Sequence, residues 1–293
     1  MTNILITGCN GQLGNEMRVL SVQHTQHTYF FTDIAELDIT SREAVTQFVV
    51  DNAIDIIVNC AAYTNVDKAE TDEALAHEIN ALAVENLGLS GARVIHISTD
   101  YVFSGEACVP YSETDSVAPR TAYGRTKREG EVLLQAVCPE SIIIRTAWLY
   151  STFGNNFVKT MLRLGQDRES LGVVFDQIGS PTYAEDLAVA IFAAINAPVW
   201  HAGVYHFTNE GVCSWYDFTH EIFSLAQTLL DREAAEKIAS CQLRSILSSE
   251  YQYQTPRPHY SVLNKSKIKQ TFGISIPHWT DSLQVCLEKL LKE

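Results

Sequence analysis

The first fourteen residues limit the fold more than any other stretch. Asn3-Ile4-Leu5-Ile6-Thr7 is a short apolar run that meets Gly8-Cys9-Asn10-Gly11-Gln12-Leu13-Gly14, and residues 15–22 continue with helical spacing. Strand, glycine turn and helix in this order open a parallel α/β unit of the kind that receives a dinucleotide. Gly8 permits the tight turn, Gly11 lets backbone N–H groups approach a pyrophosphate, and Gly14 lets the helix pack close to the strand. Asn10, Gln12 and Leu13 complete the turn, with the phosphates expected at the positive helix N-terminus. Three glycines fit any βα turn. Their position straight after an N-terminal strand is what favours a cofactor.

The remaining chain keeps the rhythm that this opening demands. Residues 28–32 read as a second strand ending in Asp33, about 20 residues past the glycine turn, where a ribose 2′-hydroxyl is gripped. No Lys or Arg lies between residues 19 and 41 to welcome a 2′-phosphate, so NADH is expected over NADPH. Asp38-Ile39-Thr40 reads as an adenine-edge contact and the cap of a helix over residues 42–52. Residues 54–60 form an apolar strand leading into Ala61-Ala62-Tyr63-Thr64, small enough for a cofactor backbone to lie close. A long helix to about residue 89 follows, with Asn80 expected on its exposed side. Residues 93–98 form a fourth strand ending in Thr99-Asp100-Tyr101-Val102-Phe103. Ligands of open α/β sheets collect at such carboxyl ends, and Thr99 places a hydroxyl there.

Beyond a proline-bearing loop, Ala122-Tyr123-Gly124-Arg125-Thr126-Lys127 opens a helix running to about residue 135. Positions four apart share a helix face, about 6 Å apart. Tyr123 and Lys127 thus bring a phenol and an ammonium together. A free tyrosine titrates near about 10, and a cation about 4 Å away is worth up to about 4 kcal/mol at an effective dielectric of 20. The lysine is expected to lower the phenol by up to two or three pKa units and make it a usable acid. Incidental Tyr/Lys pairs at this spacing are common, so the pair needs a cofactor and a cleft beside it.

Residues 141–146 form the next strand, ending in Ala147-Trp148-Leu149-Tyr150. The alternation through about residue 150 predicts an α/β fold with a doubly wound (Rossmann) parallel sheet. After it come a helix through residue 164, a strand over 171–175, a helix over 184–195 and a strand over 204–207 that returns to the main sheet. From residue 214 onward the pattern is mostly helical, over 215–230, 266–272 and 279–291. The expected division is residues 1–152 plus about 181–210 as the dinucleotide-binding domain. About 153–180 plus 211–293 form a smaller, discontinuous, mostly helical substrate-binding lobe.

Composition excludes several classes of function. With 35 acidic against 21 basic residues the net charge is -14, and no basic run appears, which argues against a nucleic-acid or anionic membrane partner. The seven scattered cysteines lack a CxxC, and no signal-peptide pattern precedes the first strand, so a reduced, cytoplasmic protein is expected. No apolar stretch approaches the ~20 residues of a membrane span. The nine histidines lack zinc-like spacing, and no metal site is expected.

With these segments assembled, the chain resembles the extended short-chain dehydrogenase/reductase superfamily and, within it, the dTDP-4-dehydrorhamnose reductase family. The glycine turn and the Tyr123/Lys127 pair mark the superfamily. More specific are Val66-Asp67-Lys68-Ala69-Glu70, Ser98-Thr99-Asp100-Tyr101-Val102-Phe103, Arg145-Thr146-Ala147-Trp148-Leu149-Tyr150, Gly154-Asn155-Asn156-Phe157 and Gly179-Ser180-Pro181-Thr182, which span nearly the whole chain. The resemblance implies reduction of the 4-keto group of a dTDP-sugar by NADH or NADPH. Tyr123 would be the proton donor, Lys127 would acidify it and hold the nicotinamide ribose, and Thr99 would polarise the carbonyl. Trp148 would close over the sugar beside Asp100 and Tyr101, with Asn155, Asn156 and Thr182 toward the nucleotide or diphosphate. Some family members hold Mg2+ between carboxylates at a dimer interface; Glu16 and Glu185 match two of these and no third is found. A monomer or homodimer is expected. The rival readings are a non-catalytic regulatory subunit related to this family and an epimerase or dehydratase. Dehydratases carry a second acid after the one beside the threonine, where this chain has Tyr101.

Overall fold

Ile4 and Ile6 face one side of the first strand and Leu5 the other, and all three are fully buried. The same alternation recurs at Ile56, Val58 against Ile57 and at Ile142, Ile144 against Ile143. Strands apolar on both faces are what a parallel sheet covered by helices on both sides requires. The computed structural model, which describes residues 1–252 and 255–292, has that sheet. Tyr253, Gln254 and Glu293, which fall in the expected smaller lobe, lie outside the described residues.

The first half runs β1 (Thr2–Thr7), α1 (Gln12–Ser21), β2 (His27–Thr32), α2 (Arg42–Asp51), β3 (Ile56–Asn59), α3 (Val66–Ala69), α4 (Glu73–His77), α5 (Ala83–Gly88), β4 (Arg93–Thr99), α6 (Ala122–Val137) and β5 (Ile142–Thr146). The six-stranded sheet has the order β10-β5-β4-β3-β1-β2, where β10 is Gly203–His206, and every pairing is parallel. The chain leaves β1 toward β2 and returns to β3 on its other side. The order therefore reverses at β1, where a crevice opens beyond the strands' carboxyl ends. One apolar layer packs Leu13 and Met17 of α1 with Leu187 and Ile191 of α8 (Ala184–Ile195), and the opposite layer holds Val45, Val49, Val84, Leu87 and Leu134.

A third apolar cluster, around Tyr150, Val158, Phe218, Ile222 and Leu283, belongs to the later segments other than α11 (Ser266–Phe272), whose Ile268 joins the first layer. The later segments are β6 (Leu149–Tyr150), α7 (Phe157–Asp167), β7 (Ser170–Val174), β8 (Ile178–Gly179), β9 (Thr182–Tyr183), β11 (Cys213–Ser214), α9 (Trp215–Leu229), α10 (Arg232–Ser240), β12 (Gln242–Ile246), α11 and α12 (Trp279–Lys292). Short ladders β6–β9, β8–β11 and β7–β12 tie them together. β12 breaks the helical reading of the last eighty residues; it pairs in parallel with β7 over Ser170–Val174. The long helix expected after residue 66 is also interrupted, by a π-helical turn at Glu78–Leu82. Ser41 rather than Thr40 caps α2, its hydroxyl accepting the Ala44 N–H at 3.3 Å.

Candidate active site

Helix α6 carries the Tyr/Lys pair, and its placement is set by polar anchors at both ends. Thr121 caps it, accepting the Gly124 N–H at 3.0 Å, while the Ala122 N–H donates to Glu70 at 2.7 Å. At Gly124 a Cβ would lie 2.3 Å from the Tyr101 carbonyl oxygen, so only glycine lets α6 sit against the turn after β4. One turn beyond Lys127, the buried Glu131 accepts two bonds of 2.8 Å from Arg145 on β5, one of 2.6 Å from Ser98 on β4 and one of 2.7 Å from Arg128. Burial works against this carboxylate, yet those bonds hold it below its ordinary value. Asn80 holds the opposite flank. It is fully buried, accepts the Tyr63 N–H at 2.9 Å, donates to the Tyr63 carbonyl at 3.0 Å and to Thr126 at 3.2 Å. The expectation of an exposed Asn80 is corrected: it stands four residues after the buried Ala76, on the same inward face.

Thr99 ends β4 beside this helix. Its hydroxyl donates to Asp100 Oδ1 at 2.9 Å and accepts the Tyr101 N–H at 3.2 Å. It also acts on the Tyr123 phenol, partly countering the burial that pushes this group up to about 12. Lys127 makes no such contribution. Its ammonium turns to β4, donating to the Ile97 carbonyl at 2.7 Å and lying 3.2 Å from His96 Nε2. The expected acidification of Tyr123 by Lys127 is therefore absent in this state. Helical spacing aligns Cβ atoms, but the lysine's four-methylene stem reaches the strand's acceptors instead. Burial brings Lys127 down to about 8, with Glu131 opposing, and lifts Asp100 to about 7 against its bond from Thr99.

Two cavities meet here. One, of about 490 Å3, runs from Gly11, Gln12 and Leu13 past Cys60, Ala62 and Thr64 to Thr99, Tyr123 and Lys127. The other, of about 420 Å3, is enclosed by α7, α9 and β7 and reaches Gln177, Tyr251, Arg257 and Ser261. Asp100, Tyr101 and Trp148 line both. Gly8 and Gly14 lie beneath the first cavity. Gly8 has φ +64, and a Cβ on Gly14 would stand 2.4 Å from the Gly8 carbonyl oxygen. With the N-terminus of α1 at its mouth, this cradle fits the diphosphate of a dinucleotide. Ala61 and Tyr63 support the floor without lining the cavity, and Asn10, Asp33, Asp38 and the buried Ile39 lie beyond its rim. Asp33 accepts the Asn10 N–H at 3.1 Å, while Asp38 is occupied by the N–H and hydroxyl of Thr40 at 3.0 and 2.7 Å. Arg18, one residue outside the window searched for a cation, returns to this rim: it bonds Cys9 at 3.0 Å and lies over Phe31, with Asp33 and Glu36 around the same thiol. The expectation of NADH rested on the lack of such a cation.

On the substrate side, Trp148 has φ +49 and stacks on Trp215 at 3.5 Å. A non-glycine residue held at positive φ carries local strain that its surroundings must impose. The Thr182 N–H fixes the Trp148 carbonyl at 3.1 Å, and the Thr182 hydroxyl donates to the Ala147 carbonyl at 2.6 Å. Fully buried and so engaged, Thr182 sets the tryptophan's backbone and does not face either cavity. Asn156 likewise caps α7 through Lys159 N–H at 3.1 Å and donates to Ser151 and to Gln12, whereas the exposed Asn155 lines the first cavity. Neither of these asparagines reaches the second cavity.

Residues 1–292 match the model of the RmlD substrate binding domain. A dTDP-4-dehydrorhamnose reductase of Aggregatibacter actinomycetemcomitans is 40% identical over 294 residues, covering 97% of this chain and 98% of that one. One from Escherichia coli (strain K12) is 41% identical over 305 residues, covering 99% and 97%. The solved dTDP-4-dehydrorhamnose reductase of Bacillus anthracis, in complex with NADP, superimposes with a TM-score of 0.90 at 37% identity, covering 99% and 100%. The chain belongs to the dTDP-4-dehydrorhamnose reductase family.

As a member of that family it carries two of the carboxylates between which magnesium is implied, Glu16 and Glu185. Glu16 is buried, with Ser151 donating to it at 2.6 Å, and burial raises its proton affinity. Glu185 is bonded by the Lys289 ammonium. A cation of the chain itself holds the carboxylate, and no group of three or more metal-ligating side chains occurs among the described residues. Three residues of this reductase relative escaped the sequence reading. Trp215 and Arg257 lie 78 and 120 residues past the end of α6 and carry no motif; Arg257, which lines the second cavity, donates to Asp67 at 2.7 Å. His96 sits mid-strand, where only its polarity in an otherwise apolar run signals it.

Proposed function

We propose that this chain reduces the 4-keto group of dTDP-4-dehydrorhamnose to a hydroxyl. Family membership supports the substrate. The observation that carries the reading is the wall shared by the two cavities, with Thr99 and Tyr123 at the junction of a dinucleotide cradle and an aromatic pocket. The nicotinamide cofactor, when bound, supplies the hydride. Thr99 orients the carbonyl oxygen, and Tyr123 gives its proton to that oxygen as negative charge develops on it. A phenol lifted to about 12 is still the stronger acid, because an alkoxide holds its proton about as tightly as hydroxide does, with water near 15.7. Such proton transfer typically supplies about 10²–10⁴-fold. Trp148, braced by Trp215, covers the sugar, and Arg257 faces the diphosphate.

The cofactor reading is NADPH as well as NADH: Asp33 grips a ribose hydroxyl and Arg18 receives a 2′-phosphate. The division into residues 1–152 plus about 181–210 and about 153–180 plus 211–293 is supported by the separate apolar cluster of the later segments. Seven unpaired cysteines support a reducing, cytoplasmic setting, as a monomer or homodimer. The test is incubation with NADPH or NADH and the 4-keto sugar nucleotide, with the product identified by NMR. Loss of the nicotinamide absorbance with a new 4-hydroxyl is expected. Binding of the cofactor with no turnover on any 4-keto sugar nucleotide would instead make the chain a regulatory subunit.

A further inference from the structure

A chain of buried polar groups runs through the sheet beneath the site, from β1 to α6, and the functional reading uses only its last member. The Thr7 hydroxyl donates to Asn59 Oδ1 at 2.8 Å, and the Ala61 N–H donates to the same oxygen at 3.1 Å. Asn59 Nδ2 lies 3.0 Å from His96 Nδ1, and His96 Nε2 lies 3.2 Å from Lys127 Nζ. Asn59 and His96 are fully buried and Lys127 is 1% exposed.

The donor and acceptor roles follow from one group that has no choice. A backbone N–H only donates, so the Asn59 atom beside Ala61 is the oxygen and the atom beside His96 is the amide nitrogen. That nitrogen also only donates, so His96 Nδ1 must present its lone pair. A neutral imidazole carries a single N–H, which is then on Nε2 and points at Lys127. An ammonium has three N–H groups and no lone pair. Donor therefore faces donor. The amine form of Lys127 removes the conflict, since it accepts the His96 N–H while keeping its own bond to the Ile97 carbonyl.

We propose that Asn59 locks His96 in its Nε2–H tautomer, and that this N–H weakens the ammonium of Lys127, so that the lysine's charge at the wall of the first cavity is switchable. Asn59 and His96 are positioning residues that act through Lys127. Titratable groups face the lysine from its own helix and from the neighbouring strands. From its own helix Tyr123 is neutral, and Glu131 favours the ammonium but is taken up by Arg145, Arg128 and Ser98. Cys60, after β3, is held as a thiol by burial, its proton affinity pushed up to about 12. A second proton on His96 does not resolve the conflict, because burial and the neighbouring lysine both drive this imidazole toward its neutral form.

The inference rests on the proposed reductase function only for its catalytic consequence; its first two tests need neither substrate nor cofactor. In 15N-histidine NMR of the free protein, with His96 assigned by its loss in His96→Gln, the Nε2–H tautomer is expected across neutral pH. An Nδ1–H tautomer or an imidazolium would overturn the lock. Lysine 13Cε NMR, assigned by Lys127→Arg, should show Lys127 titrating near 8 rather than at its ordinary 10.5; titration at or above 10.5 would overturn it. In Asn59→Asp the carboxylate still accepts from Ala61 and Thr7 but also accepts from His96 Nδ1, which reverses the tautomer and turns Nε2 toward the ammonium as an acceptor. The alkaline limb of kcat/KM should then move up by about one pH unit or more, a tenfold change in proton concentration. An unmoved limb in a folded Asn59→Asp protein with the tautomer reversed would refute the link to Lys127. Absence of any turnover with both NMR results as expected would count against the reductase reading and leave the lock standing.

Discussion

Replacing Asp100 by asparagine should stabilise the protein, and do so more as the pH rises. Asp100 is 4% exposed, its Oδ1 takes one bond from Thr99, and its Oδ2 has no hydrogen-bond partner among the described residues. Burial lifts its proton affinity from 3.8 to about 7. A carboxyl whose folded value is raised weakens the folded state progressively as pH climbs from the unfolded value to the folded one, and the whole penalty is present above both. At about 1.4 kcal/mol for each tenfold change, the ionised side chain disfavours folding at pH 8 by up to about 4 kcal/mol. Asparagine has the same shape, keeps an oxygen for the Thr99 hydroxyl and never ionises. For a chain of this size about 1 kcal/mol corresponds to roughly 2 °C in Tm. Thermal melts of both proteins at about pH 4.5 and pH 8 should therefore differ by several degrees more at the higher pH. An equal difference at both pH values would show that Asp100 is not held neutral, and the account of its burial would be wrong.

Four further outcomes follow from the same geometry. Tyr123→Phe should lower kcat by about a hundredfold or more while leaving cofactor affinity nearly unchanged, and milder loss in a steady-state assay would remove the phenol from the proton transfer. Trp148→Ala should weaken sugar-nucleotide binding more than cofactor binding by calorimetry; equal losses would give the Trp148–Trp215 stack a structural role only. Arg145→Met leaves Glu131 buried with its main partner gone, an effect of about 3–5 kcal/mol that should appear as a large fall in Tm; an unchanged melt would contradict the anchoring of α6. Arg18→Ala should raise KM for NADPH about tenfold, as for one charge-assisted contact of about 1.5 kcal/mol, with KM for NADH little altered.

The sheet was readable because its strands are apolar on both faces and punctuated by glycine turns, a pattern that only parallel burial explains. The Thr99, Tyr123 and Lys127 positions were readable because each stands at a strand end or on one helix face. What Lys127 does with its charge was not, since its long stem chooses among partners that only the assembled sheet supplies. Asn80 was misread because a polar side chain in a helix is usually exposed, whereas here its partners, the Tyr63 backbone and Thr126, come from elements that only the fold brings beside it. Thr182 and Asn156 carry polar groups in the expected neighbourhood, but the Ala147 carbonyl occupies the first, and the Ser151 carbonyl and Lys159 N–H the second. Arg18 shows the same limit for cofactor choice: a window drawn along the sequence ended one residue short of a side chain that the first helix carries back.

The partition made of Asp100, Tyr101 and Trp148 belongs to both chambers, so it is the shortest route by which one can sense the filling of the other. By thermodynamic necessity, whatever factor a nucleotide sugar applies to dinucleotide affinity is returned unchanged in the opposite direction. Measuring one isotherm with and without the second ligand reads out how far these three side chains couple the chambers.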